Sequence, residues 1–298
     1  LDYYQISYLS LGEYKKTISG KIGTLFYYNK RLYSISKKFR PDIFLSHGSM
    51  YAAHISTLLS KPHISFEDTE HSTEQIILYK PFTDVILTSY AFERNLGKKQ
   101  VRYHGYHELA YLHPKYYTKD LGILDLLGLD ANEKYIIIRF VSWSATHDLG
   151  VSGLSLEMKR NLVHALSKYA KVFITSEGSL PNDLEEYRLT FSPEKVHDAL
   201  SSASLYIGEG ATMASECAVL GTPGIYVNSL NLGYINEQIK YGLVVQCKTF
   251  PEIIETAKNW LKNDNLKDEF KEKRDKMLAD KNNLTDFLLD FVDSYKLS

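Results

Sequence analysis

At 298 residues, 44% of them apolar and 24% charged, the chain has a soluble globular composition and the length of one large or two ordinary domains. A formal net charge of -1 excludes a global basic surface for nucleic acid or acidic lipid, and no apolar run of about eighteen residues could span a membrane. Its two cysteines, Cys217 and Cys247, lie in apolar contexts and no signal-peptide pattern opens the chain, which fits a reducing cytoplasm and disfavours a disulfide framework or a cysteine metal site.

Leu1 to Leu11 starts without Met and reads as the end of a helix running into a strand, so the natural beginning is expected to lie further upstream. Ser19 to Phe39 has helical spacing, and Arg40-Pro41-Asp42 stops it before a short strand, Ile43 to Ser46. His47-Gly-Ser49 opens a small-residue helix that ends near Ser60. Pro62 to Phe66 is the next strand. It exits into Glu67-Asp-Thr-Glu-His-Ser-Thr-Glu74, the most titratable loop of the chain, with a helix N-cap at Ser72 or Thr73. Loops at the carboxyl ends of strands carry ligands in alternating α/β folds, which makes this loop a site candidate. Asp84 to Thr88 is a strand and Tyr90 to Leu96 a helix. Gln100 to Leu109 ends the first half, with Gly105 as its hinge, and residues 115–133 read as a connection with a short helix, Ile123 to Leu127. The expected domains are therefore 1–112 and 113–280, followed by a terminal helix, 281–298, that packs back on the first domain.

The alternation then restarts. Lys134 to Val141 is a buried strand running into Ser142 to Asp148, Leu156 to Tyr169 an amphipathic helix, and Lys171 to Thr175 a strand closed by Ser176-Glu177-Gly178. Pro193 to Leu200 starts a helix. From Tyr206 to Val227 the pattern is strand, glycine turn, helix, turn, strand, with Gly208 and Gly210 in the first turn and Gly221-Thr-Pro223 in the second. Gly242 to Val245 is a late strand, and amphipathic helices fill Thr249 to Asn263, Leu266 to Ala279 and Leu284 to Tyr295.

A glycine turn that feeds a helix leaves the first backbone N–H groups unpaired at the positive end of the helix dipole, a seat for a phosphate or diphosphate. Thr212 and Glu216, four apart, share one face of that helix, with Met213, Cys217 and Leu220 on the face toward the sheet. This puts the Glu216 carboxylate about one turn from the anion seat, where it suits a ribose diol. The same segment is also compatible with an ordinary βαβ turn. There is no P-loop, no nucleophile elbow and no third glycine of a dinucleotide fingerprint. A metal site from His47, Asp68 and His71 lacks any supporting ligand spacing. Strand-end loops on two α/β halves point to a ligand held in a central cleft, with acids, hydroxyls and histidines in the first half and the anion seat in the second.

The segment Gly208-Glu-Gly-Ala-Thr-Met-Ala-Ser-Glu-Cys-Ala-Val-Leu-Gly-Thr-Pro223 resembles the donor-binding loop of GT-B nucleotide-sugar enzymes, both lipid-linked N-acetylglucosaminyltransferases and non-hydrolysing UDP-N-acetylglucosamine 2-epimerases. Five further segments are similar to an uncharacterised prokaryotic GT-B-type domain family across essentially the whole chain: His47-Gly-Ser49, Phe66-Glu-Asp-Thr-Glu-His71, Gly105-Tyr-His-Glu-Leu-Ala-Tyr-Leu-His-Pro114, Arg139-Phe-Val-Ser-Trp143 and Ser155-Leu-Glu-Met-Lys159. The resemblance implies an α/β, GT-B-like fold of two Rossmann-like domains with parallel sheets, preceded by a βαβα segment of about fifty residues that is absent here. It also implies that Gly210, Ala211, Thr212 and Met213 contact the diphosphate, that Glu216 holds the ribose, and that His197 borders the base. Ser176, Glu177, Trp143 and His147 complete the expected nucleotide-sugar side, and His47 and Ser49 the acceptor side. Asp68, Glu67, Glu70 and His71 are the acid–base candidates, and Arg139 with the Gly210 turn would stabilise the departing diphosphate without a metal. Departures are the missing His-Arg-x-x-Asn-type loop and second acidic pair of the epimerases, and Glu209 where a hydroxyl residue is common. Glu209 is expected to turn away from any phosphate.

These features imply a metal-independent glycosyltransferase of surface polysaccharide or glycoconjugate synthesis, or a sugar-nucleotide 2-epimerase, or a non-catalytic nucleotide-sugar binder. The expected partners are a nucleotide-sugar donor, with UDP as its nucleotide, and a sugar or glycolipid acceptor, with peripheral membrane association and a homodimer as further expectations. No cofactor and no nucleic acid are expected.

Overall fold

The computed structural model describes residues 1–12, 18–140, 154–176 and 179–295. The chain divides into two compact units, Leu1–His104 with Asp286–Ser298, and Gly105–Thr285.

The first unit is built on helix α1 (Ile18–Phe39), strand β1 (Phe44–His47), α2 (Met50–Leu58), β2 (His63–Glu67), α3 (Thr73–Tyr79), β3 (Val85–Ser89) and β4 (Gln100–Tyr103). The strands pair in parallel in the order β1-β2-β3-β4. Parallel strands covered on both faces read as continuous apolar runs, and β2 is buried at every position. Beneath the sheet Ala53, Ile76, Tyr79, Ile86, Phe92 and Leu96 form one core cluster. His63 is a packing residue: its ring is bonded to Ser46 Oγ and Thr83 Oγ1, both at 2.9 Å, and burial lowers its pKa to about 4.

Two expectations in this unit fail. Residues 1–12 form a turn and extended coil rather than the end of a helix leading into a strand, since Gln5 and Ile6 N–H bond back only to Asp2 and Leu1. Tyr90 to Leu96 is not helical, because Arg102 takes the carbonyls that a helix would pair internally. Its guanidinium donates to the carbonyls of Ser89, Tyr90, Phe92 and Arg94, and Ser89 Oγ accepts from Ala91 N–H.

The second unit contains α4 (Leu109–Leu112), α5 (Ile123–Leu127), β5 (Tyr135–Arg139), α6 (Leu156–Leu166), β6 (Lys171–Ile174), α7 (Val196–Ser202), β7 (Leu205–Gly208), α8 (Ala211–Leu220), β8 (Gly224–Tyr226), α9 (Gly233–Lys240), β9 (Val244–Gln246), α10 (Phe250–Leu261) and α11 (Leu266–Ala279). Its strands are again parallel, in the order β6-β5-β7-β8-β9. The core cluster joins Ile136, Ile138, Ile174, Leu205, Ile207 and Ile225 of the sheet to Leu162, Val163 and Leu166 of α6. A capping box of Thr249 and Glu252 starts α10, and Gly221, left-handed at φ 78°, ends α8. Helix α9 was not legible in the sequence: it opens on Gly233 after Leu232, without a capping side chain. A last helix, α12 (Leu284–Ser294), belongs mostly to the first unit, where Phe287 lies 5.7 Å from the Tyr103 ring.

Candidate functional site

In the second unit the parallel register brings the carboxyl ends of three strands to one edge. Arg139 of β5 stands opposite Gly208 of β7, and Thr175 and Ser176 follow β6. The Arg139 guanidinium donates to Thr175 Oγ1 at 3.1 Å, so this cation is tethered beside the Gly208 turn. Gly208 is required there. A Cβ would collide with the Tyr206 hydroxyl, whose ring curls beneath it, and would come within 2.7 Å of the Arg139 carbonyl oxygen.

Gly210 is the N-cap of α8, in extended conformation at φ -85° and ψ 121°, without a capping side chain. A Cβ on it would meet no atom of the described residues within 4 Å. The first amide of α8 that finds an intrahelical acceptor is Ala214 N–H, to Gly210 O. The N–H groups of Ala211, Thr212 and Met213 bond to no described residue. Thr212 is exposed. The turn therefore presents unpaired amides at the positive end of a ten-residue helix, without a side chain in the way.

Glu209 turns away from this seat. Its carboxylate lies 3.4 Å from Lys159 Nζ of α6, both side chains being almost buried, and the ammonium also stands 4.8 Å from the centre of the Phe140 ring. Its carbonyl accepts from Asn228 Nδ2 at 3.1 Å, which ties the turn to the end of β8. A negative charge next to the amides is thus neutralised from behind.

From Ala214 onward α8 is buried on every side, Glu216 included, which differs from the expectation of one apolar face and one open face. Helices α4, α7, α9 and α11 and strands β7, β8 and β9 pack around it, so a charged residue there needs partners. Glu216 Oε1 has two, Tyr111 Oη–H and His197 Nε2, each at 3.0 Å, and the Tyr111 and His197 rings lie 5.4 Å apart. Oε2 accepts from no described residue. His197, at the start of α7, and Glu216 were expected to meet different parts of a nucleotide; they are bonded to each other.

In the first unit the loop after β2 is folded around its own acids. Glu67 is buried, with Oε1 accepting from Asp68 and Thr69 N–H at 3.2 and 3.0 Å and Oε2 from Tyr79 Oη–H at 2.9 Å. Burial holds its carboxyl above the ordinary glutamate range despite those bonds. Asp68 points the other way, its Oδ2 3.3 Å from His47 Nε2, while Oδ1 accepts from Thr69 Oγ1. The bond to Asp68 raises the His47 pKa above its ordinary value, against the opposing effect of burial. Gly48 is left-handed at φ +56°, and a Cβ would press on Gln75 Nε2, which donates to the Gly48 carbonyl at 2.6 Å. Ser49 caps α2 by accepting from Ala52 N–H.

His47, Glu67 and Asp68 are therefore brought together. Glu70 is buried with Oε1 accepting from Glu93 N–H at 3.3 Å, and His71 is exposed. Trp143, His147 and Glu177 lie outside the described residues, as does most of the loop after Phe140. Among the described residues, no three His, Cys, Asp or Glu side chains converge as a metal-ligand group. Tyr111, Lys159 and Asn228 were not singled out from the sequence; Tyr111 and Lys159 stand inside segments that carry the family resemblance, which was the available signal.

Residues 1–296 match the family described as "Protein of unknown function (DUF354)". The chain belongs to the DUF354 family. A relative, uncharacterized protein MJ0665 of Methanocaldococcus jannaschii, is 25% identical over 231 residues, which are 72% of this chain and 65% of that one, so the match spans less than two thirds of the relative. Among solved structures, the S. aureus MnaA–UDP co-structure superposes with a TM-score of 0.66 at 12% identity, covering 94% of this chain and 82% of the other. The M. jannaschii UDP-GlcNAc 2-epimerase in complex with UDP-GlcNAc and UDP gives 0.58 at 11% identity, over 84% and 76%. The glycotransferase of kitacinnamycin gives 0.54 at 10%, over 92% and 83%. At these identities the likeness establishes the fold: this DUF354 chain is a GT-B-like α/β protein with two parallel sheets. No helix of the described residues is long and apolar enough to cross a membrane.

Proposed function

We propose that this DUF354 protein is a nucleotide-sugar-dependent glycosyltransferase that binds the diphosphate of a UDP-sugar on its second unit. The observation that carries the reading is the Gly210 turn: three helix-opening amides that bond to no described residue, with the adjacent carboxylate of Glu209 paired with Lys159. Glu216 Oε2 is the acceptor for a ribose hydroxyl, its partner oxygen being fixed by Tyr111 and His197. Fold neighbours described as bound to UDP or UDP-GlcNAc support the choice of nucleotide.

In the proposed reaction, the acceptor hydroxyl loses its proton to a general base; on the first unit His47, which Asp68 orients and whose protonated form it stabilises, has the chemistry for that part. The acceptor oxygen forms the new bond to the anomeric carbon as the bond to the diphosphate oxygen breaks. The α8 amides and Arg139 receive the charge that develops on the diphosphate. Glu67 is assigned the structural part of this machinery, holding the loop that carries Asp68.

A second reading, sugar-nucleotide 2-epimerisation, is favoured by the buried Glu67 carboxyl, whose raised pKa suits removal and return of a carbon-bound proton. One incubation separates the two: UDP-sugars are supplied in deuterated water with and without a glycolipid or oligosaccharide fraction. Acceptor-dependent UDP release that D68N abolishes is expected. Deuterium at sugar C2 without acceptor would replace the transferase by the epimerase, and UDP-sugar binding with neither change would leave a binding protein.

A further inference from the structure

The second unit holds a cavity of about 450 Å³ that the reaction above does not use. It is lined by residues just before β7 and β8, Ser201, Ala203 and Thr222, and by the carboxyl end of α8. The Gly210 turn lies at the other end of that helix, about 15 Å away for ten residues at 1.5 Å each.

Four cations line it: Lys119, Lys267, Lys271 and Arg274. The last three recur at i, i+4 and i+7 on α11, hence on one face; of the four acids of that helix, Asp268, Glu269 and Glu272 fall at other positions and Asp275 flanks the basic face, where it pairs with Arg274. Helix-end chemistry explains part of the set. Lys267 Nζ donates to Ser202 O at 2.8 Å and Lys119 Nζ to Ser201 O at 3.3 Å, both carbonyls of the last turn of α7, where a cation meets the negative end of the dipole. That need is met by two lysines. Lys271 bonds to no described residue, and Arg274 points one N–H toward Leu220 O at the end of α8 while its other edge pairs with Asp275.

Two acids act on the four cations, Asp275 on Arg274 and Asp198 on Lys119, and Asp198 also accepts from Tyr117 Oη–H and Asp120 N–H; Lys267 and Lys271 have no carboxylate partner among the described residues. Partial desolvation, with Lys119 and Lys134 close by, pulls the Lys267 ammonium below the ordinary lysine range, and desolvation does the same to Lys119. Leu112, Val219 and Leu220 give the cavity an apolar wall that sharpens the field of these cations.

We propose that this cavity is a second ligand site, separate from the Gly210 turn, for a small solute carrying three or more phosphate groups. Three cations spaced along one helix face, with Lys119 as a fourth in the lining of the same cavity, match a polyphosphate better than a single anion.

Calorimetric titration of inorganic triphosphate into the full chain at low ionic strength tests this. The wild type is expected to bind, and the K271E/R274E variant to bind roughly tenfold or more weakly, with an effect that shrinks as salt is added. The neutral K271Q/R274Q variant is expected to fall between the two, and T212E, altered only at the Gly210 turn, to keep the site. Absence of wild-type binding, or equal binding by wild type and K271E/R274E with an unchanged melting temperature, would overturn the proposal. UDP titrated into the same proteins reads the other end of α8, so each reading can fail without the other.

Discussion

The loops after β2 and β7 both bring carboxylates to a strand end, and they treat them in opposite ways. After β2 one acid is held and the other is aimed outward: Glu67 accepts from its own loop and from Tyr79 of α3, and Asp68 pairs with His47. After β7 the acid is disarmed, Glu209 being paired with Lys159 beneath the turn, and the backbone amides are what remains exposed. The difference teaches that two glutamate-bearing turns alike in sequence differ in what their acids are bonded to, which is why the proposed function gives proton handling to the first loop and an anion to the second.

The largest effect should come from breaking the neutralisation of Glu209. Lys159→Met leaves a nearly buried carboxylate without its cation, a loss of about 3 kcal/mol in urea unfolding, and the double variant K159M/E209Q should recover most of it. Equal destabilisation by the single and double variants would show that the pair is not what holds this turn. Next is Gly208→Ala, which drives a methyl into the Tyr206 ring and toward the Arg139 carbonyl and should cost roughly 2 kcal/mol by the same measurement. No loss would mean the strand end can widen, and with it the seat.

These two positions show how the sequence and the structure divide the information. The alternation of apolar runs and glycine turns was enough to read β2, β5, β7, α8 and the parallel two-sheet class, because period and punctuation are local properties. The sites depend on who faces whom. Nothing near Glu209 in sequence announces Lys159, fifty residues earlier, and nothing near Glu216 announces Tyr111. The same non-locality explains the failed helix at Tyr90 to Leu96, whose carbonyls were claimed by Arg102 from the next strand. The opening of α8 at Gly210, with its first amides lacking intrahelical acceptors, was legible, since that follows from helix geometry alone.

The smallest effect sharpens the other side of the comparison. His47 has a raised pKa because Asp68 accepts its N–H, so the pair contributes stability that is fully present below the unfolded histidine value of 6.5 and is lost as pH rises through the higher folded value. An NMR titration of the His47 ring should give a midpoint above 6.5 in the wild type and one that falls back toward or below it in D68N, where burial acts without the carboxylate. A midpoint unmoved by D68N would detach the histidine from its proposed role.

The central claim is that the amides opening α8 grip a diphosphate, and the most direct measurement is a calorimetric titration of UDP into wild type and T212E. Thr212 is exposed, and a carboxylate in the first turn of a helix favours the fold, so the variant should melt no lower than the wild type. The account predicts UDP binding by the wild type and its loss in T212E; equal affinity in both, or no binding by either, would contradict it.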